Sequence, residues 1–180
     1  LPTLDTLYEK GVKKVILCGH MGRPKGKHQH QLSLEPVSNW FTQKYKLCPL
    51  VSLDDASQQD SDLLLLENLR FHLGERQKDP QFIARLASLA DFYVNDTFAT
   101  SHRDHASITG VPAKLPSYLG LRFELELRTL DDLFQSPKRP LIFILGGSKA
   151  GKLTYLDFLQ NWGDKTVVAG KLGLDRTKKE

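Results

Sequence analysis

Three stretches that each follow a short apolar run deliver an arginine. Gly19-His20-Met21-Gly22-Arg23-Pro24 follows Val15, Ile16, Leu17 and Cys18. Glu67-Asn68-Leu69-Arg70-Phe71 follows four leucines, and residues 95–103, which end in His102 and Arg103, follow Phe92, Tyr93 and Val94. A planar guanidinium binds carboxylate or phosphate through paired hydrogen bonds, so several that converge suit a small molecule bearing more than one negative group. The competing reading is three unrelated surface arginines in salt bridges or at helix ends. Their equivalent positions after successive runs, with glycines beside the first, favour a shared anion pocket. His20 titrates near neutrality and could exchange a proton, but its motif holds no carboxylate partner, so ligand binding is the expectation. His102 and His105 lack a third metal ligand at suitable spacing and are expected to be structural or rim residues. Asn95 and Asp96 could cap the next helix or take part in chemistry.

A fourth apolar run, residues 141–145, leads into Gly146-Gly147-Ser148-Lys149-Ala150-Gly151-Lys152-Leu153. Glycines let a backbone approach phosphate closely, helix amides point at the anion, and lysine neutralises its charge. Gly146, Gly151 and Lys152 reproduce most of a P-loop, but Leu153 stands where a magnesium-binding hydroxyl belongs, with Thr154 one residue late. A P-loop-like nucleotide-binding protein is therefore one alternative, and an anion-binding paralogue without catalysis is another.

The elements that must place these groups are legible in the pattern. Apolar runs without polar alternation at 15–18, 63–66, 92–94, 141–145 and 166–169, with a weaker one at 47–53, are what strands buried on both faces require. Between them lie helical stripes: Leu1, Leu4, Leu7 and Tyr8, stopped by Gly11; Val37, Trp40, Phe41 and Tyr45; and Phe82, Ile83, Leu86 and Leu89, introduced by Asp79 and Pro80. The expected fold is α/β, a doubly wound parallel sheet of Rossmann-like three-layer form. A longer stripe, Leu119, Phe123, Leu127, Leu130 and Phe134, predicts a helix over 119–136 that joins a domain at 1–118 to the start of a second at 137–180. Some 40 residues are too few to enclose a core of their own, so the second domain is expected to be incomplete.

Composition agrees with a globular protein: 180 residues, 40% hydrophobic and 26% charged, with 25 Lys and Arg against 21 Asp and Glu for a net charge of +4. That balance admits an anionic ligand without indicating nucleic acid. No run approaches the length of a membrane span and no secretory signal opens the chain, so the expected compartment is the cytoplasm. Cys18 and Cys48 fall in different apolar runs and are expected to be free buried thiols. The chain starts at Leu1 and its single methionine is internal, at Met21, so a fragment of a longer protein is expected.

Taken in order, residues 19–26, 63–71, 91–105, 137–140 and 144–149 resemble phosphoglycerate kinase, and the resemblance runs through essentially the whole chain. It implies a two-domain, hinge-closing enzyme of glycolysis, here truncated at both ends. Such an enzyme moves a phosphoryl group reversibly between 1,3-bisphosphoglycerate and ADP, giving 3-phosphoglycerate and ATP. By position, His20, Arg23, Arg70 and Arg103 resemble the family's basic patch for 3-phosphoglycerate, and Gly146, Gly147, Lys149 and Lys152 its nucleotide loop. The implied cofactor is Mg-ATP or Mg-ADP, with magnesium held mainly through the nucleotide and no protein metal site. A monomer without nucleic-acid or membrane partners is implied too. Two departures stand out: the lysines are three apart where the family has four, and Gly151 replaces the acidic residue expected before the second. The family's opening strand, its Asp-x-Asn turn and a catalytic arginine would precede Leu1, leaving no catalytic group to assign within these residues and a fragment expected to be inactive alone.

Overall fold

A computed structural model describes residues 1–173, and the chain divides into two compact units, Leu1–Leu127 and Arg128–Glu180. The division falls inside the stretch expected to be the joining helix. The first unit runs α1 (Pro2–Glu9), β1 (Val15–Leu17), α2 (Glu35–Tyr45), β2 (Leu50–Val51), β3 (Leu63–Leu66), α3 (Leu73–Gln77), α4 (Pro80–Ala87), β4 (Tyr93–Asn95) and β5 (Ser117–Leu119). Its strands form a three-stranded sheet in the order β1-β3-β2 and a separate pair, β4-β5, and every pairing is parallel.

β3 explains why helices cover both faces. All four of its leucines are buried, and successive side chains of a strand point to opposite sides. Leu64 and Leu66 join Phe82, Ile83 and Leu86 of α4 in one core, while Leu63 and Leu65 join Leu4 of α1, Phe41 of α2 and Cys48 in the other. This is the doubly wound arrangement that the continuous apolar run predicts. α4 starts as its sequence demands: Asp79 Oδ1 accepts from the Phe82 N–H at 2.8 Å, and Pro80 occupies the first turn, where it forfeits no helical bond.

Side-chain bonds of α1 orient the two sheets. Thr3 Oγ1 donates to Asp96 Oδ2 (2.7 Å) just past the carboxyl end of β4, and the Tyr8 hydroxyl donates to Asp62 O (3.2 Å) just before β3. The helix therefore runs from the carboxyl end of β4 to the amino end of β3, so β4 points the same way as β1 and β3. Between β1 and β4 lies a cleft of about 1000 Å³. Cys18 lines it and is exposed, contrary to the expected burial; only Cys48 is a buried thiol. The apolar run around Cys18 signals a strand correctly, but the side of β1 toward β4 is not covered by another strand.

α5 (Leu121–Gln135) begins two residues later than the stripe predicts, because Leu119 ends β5 and Gly120 intervenes. The start is fixed from outside the helix: Asp96 Oδ1 accepts from the N–H groups of Arg122 (2.9 Å) and Phe123 (3.1 Å). A side chain on Gly120 would collide with that carboxylate. In the second unit, β6 (Ile142–Leu145) and β7 (Lys165–Val168) pair in parallel across α6 (Leu156–Trp162). Ile142, Ile144 and Phe158 are exposed there. No helix among the described residues is long and apolar enough to cross a membrane.

Candidate functional site

The loops after β1, β3 and β4 meet at the carboxyl ends of the strands, and the β3 loop ties them together. Asn68 is fully buried: its side-chain amide donates to Met21 O (2.9 Å) and Leu32 O (2.8 Å), and its oxygen accepts from the Arg70 N–H (3.0 Å). Glu67 accepts from the Leu34 and Asn68 N–H groups and from Ser33 Oγ, which hold its carboxyl below the usual range despite partial burial. Leu69 N–H donates to Gly19 O at 3.1 Å. The His20-to-Arg23 loop is thereby fixed against the turn that carries Arg70.

Arg70 is 5% exposed, a costly place for a guanidinium. Its Nη1 donates to Gly22 O (2.9 Å), but its Nε and Nη2, and Nε of Arg103, are buried without a hydrogen-bond partner among the described residues. The two arginines are near enough to act on each other electrostatically, and Arg23, itself exposed, acts on Arg70. Buried donors left over from two like charges are what a prepared anion site presents. His20 completes the group: desolvation first, then the charges of Arg70, Arg103 and His105, push its imidazole down to about 4. It is neutral at physiological pH and can offer one ring N–H to a ligand.

One member escapes sequence reasoning. Glu75 in α3 is 4% exposed and accepts from the Ser107 N–H (3.1 Å) and Ser107 Oγ (2.7 Å), with His105 Nδ1 at 3.6 Å. Burial raises its pKa, while Ser107 and Arg70 work against that rise. It holds the segment behind Arg103 in place through the single π turn Ala106–Gly110. The only sequence signal is a lone acid among Arg70, His72, Arg76 and Lys78, which reads equally as a surface charge. Of the two roles expected for His105, structural or rim, its enclosed place beside Glu75 fits the structural one. Asp96 caps α5, the next α-helix in sequence, as one of the two expectations had it, while Asn95 accepts from the Thr97 N–H at 3.0 Å.

In the second unit, Gly146 and Gly147 follow β6, with φ at +114° for Gly147, a conformation that favours glycine. Lys152 Nζ donates back to Gly146 O at 2.8 Å, closing the loop on itself. The segment after Lys149 is a 3₁₀ helix, Ala150–Tyr155, not the α-helix start of a P-loop, and Thr154 Oγ1 is turned onto Gly151 O. The loop thus brings Gly146, Gly147 and Lys152 together, while the Lys149 side chain makes no capping bond. No cluster of three or more His, Cys, Asp or Glu suited to a metal occurs among the described residues. Lysines and glycine amides suit phosphate oxygens, not a cation.

Comparison with known proteins gives one family. The family model described as phosphoglycerate kinase matches residues 1–176. A protein named phosphoglycerate kinase from Trichodesmium erythraeum is 43% identical over 94% of this chain and 45% of its own length; one from Desulforudis audaxviator is 41% identical over 94% and 46%. Among solved structures, phosphoglycerate kinase from Coxiella burnetii superposes with a TM-score of 0.78 at 32% identity, over 94% of this chain and 44% of that one. The Pyrococcus horikoshii enzyme, at 24% identity and a TM-score of 0.79, is similar in fold. The chain thus spans about half the length of the relatives it matches.

Proposed function

The chain belongs to the phosphoglycerate kinase family, and from that premise we propose that its first unit binds 3-phosphoglycerate, or the same end of 1,3-bisphosphoglycerate, and that its second unit contributes to binding ADP or ATP. The observation that carries this reading is the set of unsatisfied buried donors on Arg70 and Arg103. A ligand with a phosphate and a carboxylate supplies acceptors for both arginines; neutral His20 adds a hydrogen bond without a further positive charge, and Arg23 lies at the exposed rim. Gly146, Gly147 and Lys149 are assigned to nucleotide phosphates, and Lys152 to holding their loop closed.

Phosphoryl transfer between an acyl phosphate and a nucleotide needs no protein nucleophile. The catalytic task is to fix two anions and neutralise the charge that passes between them. The arginines of the first unit do this for the glycerate end, orienting it through its non-reacting phosphate and neutralising charge at the carboxylate that gains or loses the phosphoryl group. Magnesium, when bound, adds neutralisation at the nucleotide phosphates and travels with them, since the loop offers it no acidic ligand. The proposed setting is cytoplasmic glycolysis in a monomeric parent enzyme, with no nucleic-acid or membrane partner.

The test is calorimetric titration of the complete parent enzyme with 3-phosphoglycerate. Arg70→Ala and Arg103→Ala should each weaken binding by about tenfold to a hundredfold, the worth of a charge-assisted hydrogen-bonded contact. Unchanged affinity in both variants would overturn the assignment.

A further inference from the structure

Arg70 is crowded by like charges. Arg103, Arg76 and Arg23 all act on it, and Glu75 acts as the opposing charge. A buried carboxylate and a buried guanidinium within electrostatic range ordinarily pair, which offsets the cost of burying both. Here they do not: Arg70 Nε and Nη2 have no hydrogen-bond partner among the described residues, and its Nη1 donates to Gly22 O. The carboxylate is engaged elsewhere. Oε2 accepts from the Ser107 N–H (3.1 Å) and Oε1 from Ser107 Oγ (2.7 Å), while His105 Nδ1, at 3.6 Å, is too far for a hydrogen bond. Ser107 can hold it because its own backbone is fixed. Ala106, fully buried, anchors the π turn, with Val111 N–H donating to Ala106 O (2.8 Å) and Thr109 N–H to His105 O (2.9 Å). With both oxygens accepting and Arg70 near, the carboxyl is kept in its charged form although burial pushes its pKa up.

We propose that Ser107 is a positioning residue for the anion site: by binding both carboxylate oxygens it keeps Glu75 as a counter-charge to Arg70 and Arg103, and off the donors that a ligand needs. The proposal rests on the reading of those arginines as the 3-phosphoglycerate site and adds to it how the site stays open. Two buried guanidiniums without an opposing charge repel each other and destabilise the folded chain. A carboxylate paired directly with Arg70 removes that repulsion but takes the Nε and Nη2 hydrogens, and an anionic ligand must then displace it. Glu75 held on Ser107 supplies the charge without the contact. The donors of Arg70 are therefore in place before the ligand arrives, which lowers the cost of binding. Ser107 touches no ligand in this scheme; it acts through Glu75.

The experiment titrates 3-phosphoglycerate calorimetrically into the complete parent enzyme and its Ser107→Ala, Glu75→Gln and double variants, with Arg70→Ala alongside. Ser107→Ala frees one carboxylate oxygen to pair with Arg70 and weakens binding about threefold to tenfold, the worth of one hydrogen bond. Glu75→Gln keeps the shape and the contact with Ser107 but cannot compete as an anion, so binding is unchanged or tighter. The double variant binds at least as tightly as the unaltered enzyme. That rescue distinguishes positioning from a structural role, in which the second substitution would add to the loss. Full affinity in Ser107→Ala, or no rescue in the double variant, overturns the proposal. A second measurement needs no ligand. In NMR spectra of the arginine side chains, the Arg70 Nε proton moves downfield in Ser107→Ala, as pairing with a carboxylate demands, and returns in the double variant. An unmoved proton overturns the proposal. Unchanged affinity in Arg70→Ala defeats the 3-phosphoglycerate reading instead, and the NMR comparison then decides on Ser107. If Ser107→Ala does not fold, Ser107→Cys, a much weaker donor of similar size, takes its place; if Glu75→Gln does not fold, the Arg70 proton decides alone.

Discussion

At the scale of single residues, the proposed anion pocket is a set of charges whose buried donors on Arg70 and Arg103 have no hydrogen-bond partner among the described residues. His20 reports on it. An imidazole held near 4, against an ordinary 6.5, takes up its proton more readily in the unfolded chain. Its contribution to stability is therefore full above about 6.5 and is lost as pH falls toward 4, where the folded state must accept a third charge beside Arg70 and Arg103. A His20→Gln variant should flatten the pH dependence of denaturant midpoints across that window. In an NMR titration the ring should gain affinity for its proton when a phosphate-bearing ligand enters; a His20 that titrates at the ordinary value without ligand would contradict the pocket's electrostatics. Glu75 sets a different expectation. Glu75→Ala leaves Ser107 without its acceptor in a buried place, so a loss of about 1–3 kcal/mol is expected in chemical denaturation. These residues differ in how far the sequence announces them. Arg23, Arg70 and Arg103 are visible because each follows an apolar run, the place where open α/β sheets bind ligands. Glu75 is not, because only the fold reveals that its neighbour is Ser107, thirty-two positions away.

At the scale of elements, Asp96 is the unexpected tie. One oxygen caps α5 and the other accepts from Thr3 at the start of α1, while Gly120 leaves the room they need. Asp96→Ala should cost about 1 kcal/mol or somewhat more, as for other N-caps. Gly120→Ala should be destabilising through the same contact. The double variant is then expected to lose less than the two single losses added, since both remove one cap; simple additivity in denaturant midpoints would separate them. β3 is readable from its residues alone, because four consecutive leucines bury both of their faces only between two apolar layers, and Asp79-Pro80 announces α4. β5 is hidden for physical reasons. Ser117, Tyr118 and Leu119 are all exposed and follow Pro116, so they carry neither an apolar run nor alternation, and Leu119 falls in phase with the helical stripe that begins beyond it. Cys18 departs from its expected burial for a related cause: local apolarity signals a strand, but only neighbours in space decide whether its side is covered.

At the scale of the whole molecule, the proposed reading assigns the glycerate ligand to the first unit and the nucleotide to the second. In a coupled assay with 3-phosphoglycerate and Mg-ATP, this chain is expected to show no turnover, and substantial turnover would show that the additional length of its relatives is dispensable. Binding of the glycerate ligand, where present, should weaken as salt rises, because the site works through net positive charge. Cooperative folding of the first unit, by contrast, depends on β3, which belongs to both of its cores at once. Its four side chains are all leucine, so sliding this strand by one residue would leave its own pattern of apolar contacts nearly unaltered. The strand is chemically silent about its own alignment, and that information resides at its ends, where Asp62 O receives Val15 N–H and Glu67 grips Ser33 and Leu34. Those two ends carry the alignment that four identical side chains cannot: a strand displaced by one residue would keep its apolar contacts but forfeit the bonds at Asp62 and Glu67.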